Sequence, residues 1–274
     1  MAIITVSRQL GSFGDELCSK VASILGYRLV VRKDIERRIV RSGFPEKKLR
    51  TFDDHKPGFF ARFSKYRDEY LNALRTAVLT EAASGNCILL GRGSFFMLKN
   101  IPNHISIRFV SETKVRVNRI QNQFKCSEEQ AQKIIKTADK TQKNFYKNYF
   151  NFDLRDPSFY NVVFNTSGKH VMELAEPLAQ GIKAFISDEM TEEGNRAIEQ
   201  LIIGQELVNV LKTIYDVNID NLSVTVKDKR IIFHGIASSS VIVEQALTYA
   251  ALELSGYEFE SDISVVQDFK THRG

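Results

Sequence analysis

The sequence predicts a doubly wound α/β domain on a parallel sheet, followed by a smaller α+β unit of order αββαβ. Short β-branched runs alternate with helical patterns over residues 1–187, the order of a parallel sheet with helices on both faces. These runs hold few alternating polar residues, as strands covered on both faces do. From residue 196 the order of elements changes, and 274 residues suffice for two domains.

The first domain has five candidate strands, each a short apolar run, at residues 3–6, 28–31, 87–90, 105–110 and 161–165. Helical patterns lie near residues 14–25, 34–42, 64–84, 112–123, 127–149 and 170–186. Ser127 and Gln130 have capping-box spacing, which predicts that a helix begins there.

The second unit begins with an amphipathic helix over residues 196–215. Alternating residues 222–226 and 231–235 flank a charged turn, which is typical of a β-hairpin. A helix over 239–254 stops at Gly256, and an alternating strand follows over 259–266.

Charge is divided unequally along the chain. Residues 1–187 carry 31 Lys and Arg against 18 Asp and Glu, a net charge of +13, whereas residues 188–274 carry 7 against 15, a net charge of −8. The polar, acidic segment 188–195 lies at the change and is interpreted as a linker. We therefore predict a basic domain over 1–187 and an acidic one over 196–274. The positive charge of the first domain predicts an anionic ligand, either a small phosphorylated molecule or nucleic acid.

The composition excludes several classes of protein. With 43% hydrophobic and 26% charged residues, the chain is neither disordered nor fibrous. No apolar stretch approaches the roughly 18 residues of a membrane-spanning helix, and no secretory signal precedes the first strand. The three cysteines (Cys18, Cys87 and Cys126) have wide spacings. They are interpreted as reduced structural thiols of a cytoplasmic protein.

The turn after the first strand is a candidate phosphate site. A strand, a turn containing Gly11 and Gly14, and a helix start follow one another. Backbone N–H groups and the helix dipole converge on an anion in such a turn. The Walker pattern G-x-x-x-x-G-K-[ST] is absent, because no lysine follows the second glycine. A plain strand-to-helix turn is the alternative.

Three arginines are candidates for binding phosphate. Arg92 stands between two glycines where a strand ends, and its planar fork suits phosphate oxygens. Arg116 and Arg119 are three residues apart and therefore share one helix face. In each case the alternative is a solvated surface arginine. Asp153 and Asp156 could orient an acceptor or a metal ion, or simply cap turns after a helix.

Taken together, these motifs resemble the cytidylate kinase-like family. Residues 3–16, IITVSRQLGSFGDE, are similar to the family opening I-T-I-S-R-E-x-G-S-G-G-R-E. The similarity continues through Gly91-Arg92-Gly93, the pair Arg116 and Arg119, and Asp139-Lys140, and it covers about residues 1–187. This resemblance implies a P-loop nucleoside-monophosphate-kinase fold with a helical lid.

The resemblance also implies a reaction and a site. Relatives with an intact site transfer the γ-phosphoryl group of ATP to CMP or dCMP with Mg²⁺, mainly by positioning and by neutralising charge. The donor phosphates would then lie on Gly11, Ser12 and Gly14, with Ser7 and Arg8 at the strand end. Arg92 would reach the acceptor phosphate, and Arg116 and Arg119 would close from the lid as catalytic groups.

The sequence departs from the family at several of these positions. The Walker lysine position falls on Gly14 and the Mg²⁺-binding hydroxyl position on Glu16, while Gln142 stands where a lid arginine is usual. The position of the acid that relatives commonly carry after the second strand falls near Val31, and only a shift of the alignment would let Asp34 serve. Losing both the loop lysine and the lid arginine would lower turnover by orders of magnitude. We hypothesise that Arg8 replaces the missing lysine.

The second unit resembles a BON domain, a module usually regarded as binding lipids or other hydrophobic or polymeric ligands. Its net charge of −8 argues against an anionic membrane or nucleic acid as the partner. The unit could dock on the basic domain, associate with a second copy into a homo-oligomer, or have a purely structural role.

Three functions compete. The first is a kinase acting on CMP or dCMP with ATP. The second is a weakly active or inactive nucleotide-binding regulatory protein whose C-terminal unit binds a partner or ligand. The third, binding of nucleic acid by the +13 domain, predicts steeply salt-dependent retention. The basic residues are scattered, so no specific nucleic-acid partner is predicted.

Overall fold

A central sheet of five parallel strands organises the first two thirds of the chain. The computed structural model describes residues 2–49, 64–168 and 170–266. The strands are β1 (Ile3–Arg8), β2 (Arg28–Val30), β3 (Cys87–Leu90), β4 (His104–Val110) and β5 (Val162–Asn165). Their order across the sheet is β2-β3-β1-β4-β5, with every pair parallel. The predicted fold class is therefore confirmed.

Helices cover both faces of this sheet. They are α1 (Gly14–Leu25), α2 (Arg32–Arg41), α3 (Ser64–Ala83), α4 (Ser94–Leu98), α5 (Thr113–Phe124), α6 (Glu128–Phe150) and α7 (Ala175–Phe185). Ile4 and Val6 of β1 point into a core shared with α1 and α7, whereas Ile3 points into one shared with α2 and α3. Burial of alternate residues on both faces explains why the strands are almost entirely apolar.

The boundaries of these helices follow local sequence signals. The Ser127 hydroxyl accepts a hydrogen bond from the Gln130 amide at 3.2 Å, and the Gln130 side chain accepts one from the Ser127 amide at 2.9 Å. The capping box before α6 is thus confirmed. The short helix α4 was not predicted from the sequence, because its residues continue the apolar run that follows Gly93.

The C-terminal unit has the predicted αββαβ order. It consists of α8 (Asp188–Thr213), β6 (Asp220–Lys227), β7 (Arg230–Ala237), α9 (Ser240–Glu253) and β8 (Glu258–Val265). β6 and β7 form the antiparallel hairpin, and β8 adds to β7 in parallel. Among the helices of the described residues, none has the length and apolar character required to cross a membrane.

Residues 188–195 are helical rather than a linker. They form the first two turns of α8, and the Ser187 hydroxyl accepts a hydrogen bond from the Met190 amide at 3.1 Å. The acidic residues Asp188 and Glu189, which suggested a solvated linker, occupy the first turn. They stabilise the helix there through its dipole.

Helix α8 belongs to both cores. Ile198 packs into the core of the first domain, whereas Leu207, Val208 and Leu211 pack against the C-terminal sheet. A Cβ atom on Gly204 would lie 2.8 Å from the backbone oxygen of Val224, so the helix and β6 approach as closely as a glycine permits. One continuous helix therefore connects the two units.

Two of the three cysteines are buried, as expected of structural thiols. Cys18 and Cys87 are buried and free, whereas Cys126 is only partly buried. Burial raises the pKa of the Cys87 thiol to about 12. This is the behaviour of a structural thiol rather than a reactive one.

Candidate active site

A cleft of about 770 Å³ opens at the carboxyl ends of β1 and β3. The β1–α1 loop forms its floor, the β3–α4 turn lies on one side, and α5 and α6 lie on the other. The carboxyl ends of parallel strands are where ligands bind in open α/β sheets. The cleft therefore lies where the sequence predicted a phosphate site.

The loop at the floor is held in a tight conformation. Gly11 and Phe13 have positive φ angles of 77° and 54°. The Ser12 hydroxyl donates to the Gln9 carbonyl oxygen at 2.7 Å, so this buried side chain bonds the loop to itself. A Cβ atom on Gly14 would lie 2.6 Å from Cβ of Arg8. Gly14, the position to which the family resemblance assigns the Walker lysine, thus has no room for a side chain.

Ser7 does not line the cleft. Its side chain is buried, and its hydroxyl accepts a hydrogen bond from Arg108 at 2.8 Å. Arg108 is itself buried and packs against the Tyr160 ring, with the guanidinium carbon 5.5 Å from the ring centre. Ser7 therefore supports the sheet beneath the site, and the expectation that it contacts phosphate has no support in this arrangement.

Arg8 lies at the floor of the cleft. Its Nε atom donates to a carboxylate oxygen of Asp15 at 2.7 Å, and its side chain remains 28% exposed. A Cβ atom on Gly91 would lie 3.2 Å from its guanidinium, so the side chain extends from β1 towards the end of β3. The Gln142 amide donates to the Arg8 carbonyl at 3.2 Å. Arg8 is thus a cation close to Gly14.

Arg92 is held at the side of the cleft. It has a positive φ of 57°, and its guanidinium donates to Glu36 at 2.5 Å and to the Tyr70 hydroxyl at 3.4 Å. The guanidinium carbon also lies 5.8 Å from the centre of the Phe145 ring. The Glu36 carboxylate accepts a second hydrogen bond, from Arg32 at 2.5 Å. One acid therefore joins two arginines that both line the cleft.

Arg116 and Arg119 have different environments although they share a helix face. Arg116 is buried and forms a two-pronged ion pair with Asp139 at 2.7 and 3.0 Å. It also donates to the Leu10 carbonyl at 2.7 Å, so it connects α5, α6 and the loop from behind. Arg119 lines the cleft and lies over the Phe13 ring, with its guanidinium carbon 4.1 Å from the centre. Of this pair, only Arg119 lines the cleft.

Asp153 and Asp156 lie outside the cleft. Asp153 is exposed and paired with Arg155 at 2.6 Å, and this partner holds the pKa of Asp153 well below its usual range. Asp156 caps the short helix at Pro157–Phe159 by accepting from the Ser158 amide at 2.9 Å. The turn-forming alternative describes both residues.

Sequence reasoning missed three contributors to the site. Glu36 and Tyr70 bond Arg92, and Glu36 also bonds Arg32. Arg32 and Glu36 lie on α2, directly after β2, which pairs with β3 in the sheet, and Tyr70 lies on α3. Glu36 is the acid that bonds the cleft-lining Arg92, whereas Asp34 accepts from the Val31 amide at 2.9 Å and caps α2. The four-residue spacing of Arg32 and Glu36 was the available signal.

The charges of the cleft favour a polyphosphate ligand. Arg8, Arg32, Arg92, Arg119 and Lys133 line it, against the acids Asp15, Glu16 and Asp139. Within the described ranges, no cluster of three His, Cys, Asp or Glu side chains is placed to hold a metal ion. Mg²⁺ commonly binds through one or two carboxylates and substrate phosphates. Glu16 at the cleft fits that requirement.

Comparison with known proteins identifies relatives of the first domain. A model of the cytidylate kinase-like family matches residues 3–168. The cytidylate kinase of Methanothrix thermoacetophila is 28% identical over 165 residues, covering 60% of this chain and 88% of that protein. The cytidylate kinase of Methanocaldococcus jannaschii is 29% identical over 110 residues, covering 39% of this chain and 62% of that protein.

A solved structure supports the fold. A crystal structure of an uncharacterised protein from Eubacterium ventriosum superposes with a TM-score of 0.55 at 19% identity, covering 67% of this chain and 98% of that one. The family model covers more than half of the chain and includes the loop, Arg92 and Arg119. The chain belongs to the cytidylate kinase-like family.

Proposed function

We propose that this protein transfers the γ-phosphoryl group of ATP to a pyrimidine nucleoside monophosphate, CMP or dCMP. The observation that carries the proposal is the meeting of four arginines, Arg8, Arg32, Arg92 and Arg119, around one cleft. They come from four separate segments of the chain, so the fold rather than local sequence brings them together. Phosphoryl transfer needs positioning and neutralisation of oxygen charge, which such a set supplies.

The donor end is the β1–α1 loop. Its backbone N–H groups at the start of α1 favour an anion, and Arg8 lies above Gly14, where the Walker lysine is missing. Arg119 approaches from α5 and bonds the Gly11 carbonyl at 3.1 Å. These two cations would neutralise the donor phosphates. Mg²⁺, held by those phosphates and by Glu16, would supply further charge neutralisation.

The acceptor end is the pair Arg32 and Arg92. Arg92 is only 9% exposed, and Glu36 and Tyr70 fix its guanidinium. A fixed planar fork binds a monophosphate with little loss of side-chain entropy. Glu36 accepts from both arginines and keeps them on the same side of the cleft.

The degraded loop supports a second candidate, a nucleotide-binding regulatory protein with little or no turnover. Arg8 is already paired with Asp15, Arg116 is committed to Asp139, and Gln142 occupies the usual lid-arginine position. Each of these features removes a cation from catalysis. The cleft would still bind a nucleotide.

We further propose that the C-terminal αββαβ unit is a BON-like binding module. Its acidic charge suits a neutral or basic partner, or a second copy of the chain, better than an anionic surface.

The buried free thiols Cys18 and Cys87 support a cytoplasmic setting.

The test is product formation from ATP·Mg²⁺ with CMP, dCMP, UMP or AMP as acceptor, separated by chromatography at high protein concentration. Diphosphate from CMP or dCMP, lost in Arg92→Ala and retained in Arg37→Ala, would establish the kinase. Arg37 is the matched control because it lies outside the cleft and pairs with Asp34 on its own helix. Nucleotide binding without diphosphate from any acceptor would establish the regulatory alternative.

A further inference from the structure

A polar network joins the C-terminal helix α8 to α3 of the first domain. The Gln205 amide, in a side chain only 5% exposed, donates to Asn72 at 2.7 Å and to Asn209 at 3.0 Å. Asn209 in turn donates to Thr76 at 3.1 Å and accepts from Asn72 at 3.1 Å. Four polar side chains thus satisfy one another between two helices.

Such a network fixes the relative position of the two helices. Sliding or rotating α8 on α3 would leave the buried Gln205 amide without partners, at a cost of about 1–3 kcal/mol. Apolar residues alone would tolerate such slippage more easily. Satisfied buried networks therefore specify one arrangement.

Helix α3 continues from this network to the active site. Tyr70 lies two residues before Asn72, and its hydroxyl accepts a hydrogen bond from Arg92. The Tyr70 ring packs against Tyr149 of α6 at 5.5 Å between ring centres. Arg67, in the same part of α3, donates to the Asn148 carbonyl at 2.9 Å. The segment held by Gln205 therefore also contacts the acceptor arginine and the end of α6.

We propose that Gln205 is a positioning residue for the acceptor side of the cleft, acting through α3 and Tyr70 on Arg92. Helix α8 also belongs to the core of the C-terminal unit. That unit is then part of the kinase machinery rather than an appendage. The inference rests on the proposed function, since it assigns Arg92 to the acceptor phosphate. We expect its effect on the acceptor rather than on ATP, because the hydrogen bonds of the network lead from α8 to α3, and α3 carries the Tyr70 hydroxyl that bonds Arg92.

The test replaces Gln205 in the full-length chain. Gln205→Met keeps the side-chain volume and removes both hydrogen bonds, and we expect the variant to fold because the apolar contacts of α8 are kept. Glu206→Ala is the matched control, because Glu206 is the exposed neighbour on the same helix. Two quantities are measured, the ¹⁵N NMR signal of the Arg92 Nε–H group, assigned by its loss in Arg92→Lys, and the KM values for acceptor and ATP.

We expect Gln205→Met to shift or broaden the Arg92 signal and to raise the acceptor KM by about fivefold, with the ATP KM unchanged. In a Tyr70→Phe background the same substitution should add little, because the connection is already broken. Circular dichroism and melting verify that each variant is folded. Glu206→Ala should change neither quantity.

An unchanged Arg92 signal in folded Gln205→Met would overturn the inference, as would equal rises in the KM values for acceptor and ATP. If the wild-type chain turns over no acceptor but the Arg92 signal still responds, the inference stands and the proposed kinase function fails. The NMR measurement therefore separates the two failures.

Discussion

The Nε atom of Arg8 lies 2.7 Å from a carboxylate oxygen of Asp15, across the loop that forms the floor of the cleft. Arg8 ends β1 and Asp15 lies in the first turn of α1. The ion pair brings a cation to the place where a P-loop lysine is absent, and its carboxylate partner is 61% exposed. Incoming phosphate oxygens can therefore compete with that carboxylate for the guanidinium.

Replacing Arg8 should weaken nucleotide binding. In Arg8→Ala the donor end loses the cation nearest to Gly14, so the Kd for ATP·Mg²⁺ should rise about tenfold or more, in line with the loss of one charge-assisted hydrogen bond. Isothermal titration calorimetry measures this. Arg37→Ala should bind as the wild type does. An unchanged Kd in Arg8→Ala would remove Arg8 from the site.

Restoring the Walker lysine at Gly14 should not restore a P-loop. A Cβ atom there would lie 2.6 Å from Cβ and 2.8 Å from Cγ of Arg8, so Gly14→Lys must displace the arginine that occupies this space. We expect the free energy of unfolding to fall by about 1–3 kcal/mol and ATP affinity to fall rather than rise.

Chemical denaturation and calorimetry check the Gly14 prediction. Gly168→Ala is the control, because a Cβ atom at Gly168 meets nothing within 4 Å. Tighter ATP binding by a fully stable Gly14→Lys would show that the loop is more adaptable than its packing indicates.

Arg92→Lys should separate acceptor binding from donor binding. Lysine keeps the charge but loses the planar fork that Glu36 and Tyr70 hold in place. The acceptor KM should rise about tenfold or more, while the ATP KM stays within about twofold. Steady-state kinetics with each substrate varied in turn measures both. A parallel rise in both KM values would contradict a role specific to the acceptor, and a rise in the ATP KM alone would place Arg92 in the donor site.

His104 should make stability depend on pH. Burial lowers its pKa to about 4, and its Nε2 atom lies 2.7 Å from the Thr5 hydroxyl. Because an exposed histidine has a pKa near ~6.5, the unfolded chain binds the proton more readily between these two values. The free energy of unfolding is therefore highest above about pH 6.5 and falls as the pH drops towards 4.

The slope from this one group is at most about 1.4 kcal/mol per pH unit. Urea unfolding at several pH values should show that His104→Gln flattens this dependence. The exposed His170, replaced in the same way, serves as the control. A slope that survives in His104→Gln would assign the dependence to other groups.

The sheet could be predicted from the sequence because each strand is a local signal. All five candidate strands appear within a few residues of their expected bounds, since continuous apolar runs are diagnostic when both faces are covered. Segment 188–195 shows the limit of such reasoning. Its acidic residues fit a solvated linker and a helix start equally well, and only the serine before them distinguishes the two.

The site was less predictable because its contacts are long-range. Spacing places Arg116 and Arg119 on one face, but the partner that buries Arg116 is Asp139, in a different helix. Similarly, Arg92 meets Glu36 across 56 residues of chain. Ser7 lies next to the last residue of β1, yet its side chain meets Arg108 of β4 instead of the cleft. These contacts form only when elements that are distant in the sequence pack together.

The most direct measurement is single-turnover transfer of a labelled γ-phosphoryl group from ATP·Mg²⁺ to CMP, with protein in excess over ATP. Excess protein reveals even the slow transfer expected of a loop without its lysine. We expect labelled CDP, which should disappear when CMP is omitted and in Arg92→Ala. Label that remains in ATP, or is released only as inorganic phosphate, would contradict the proposed function.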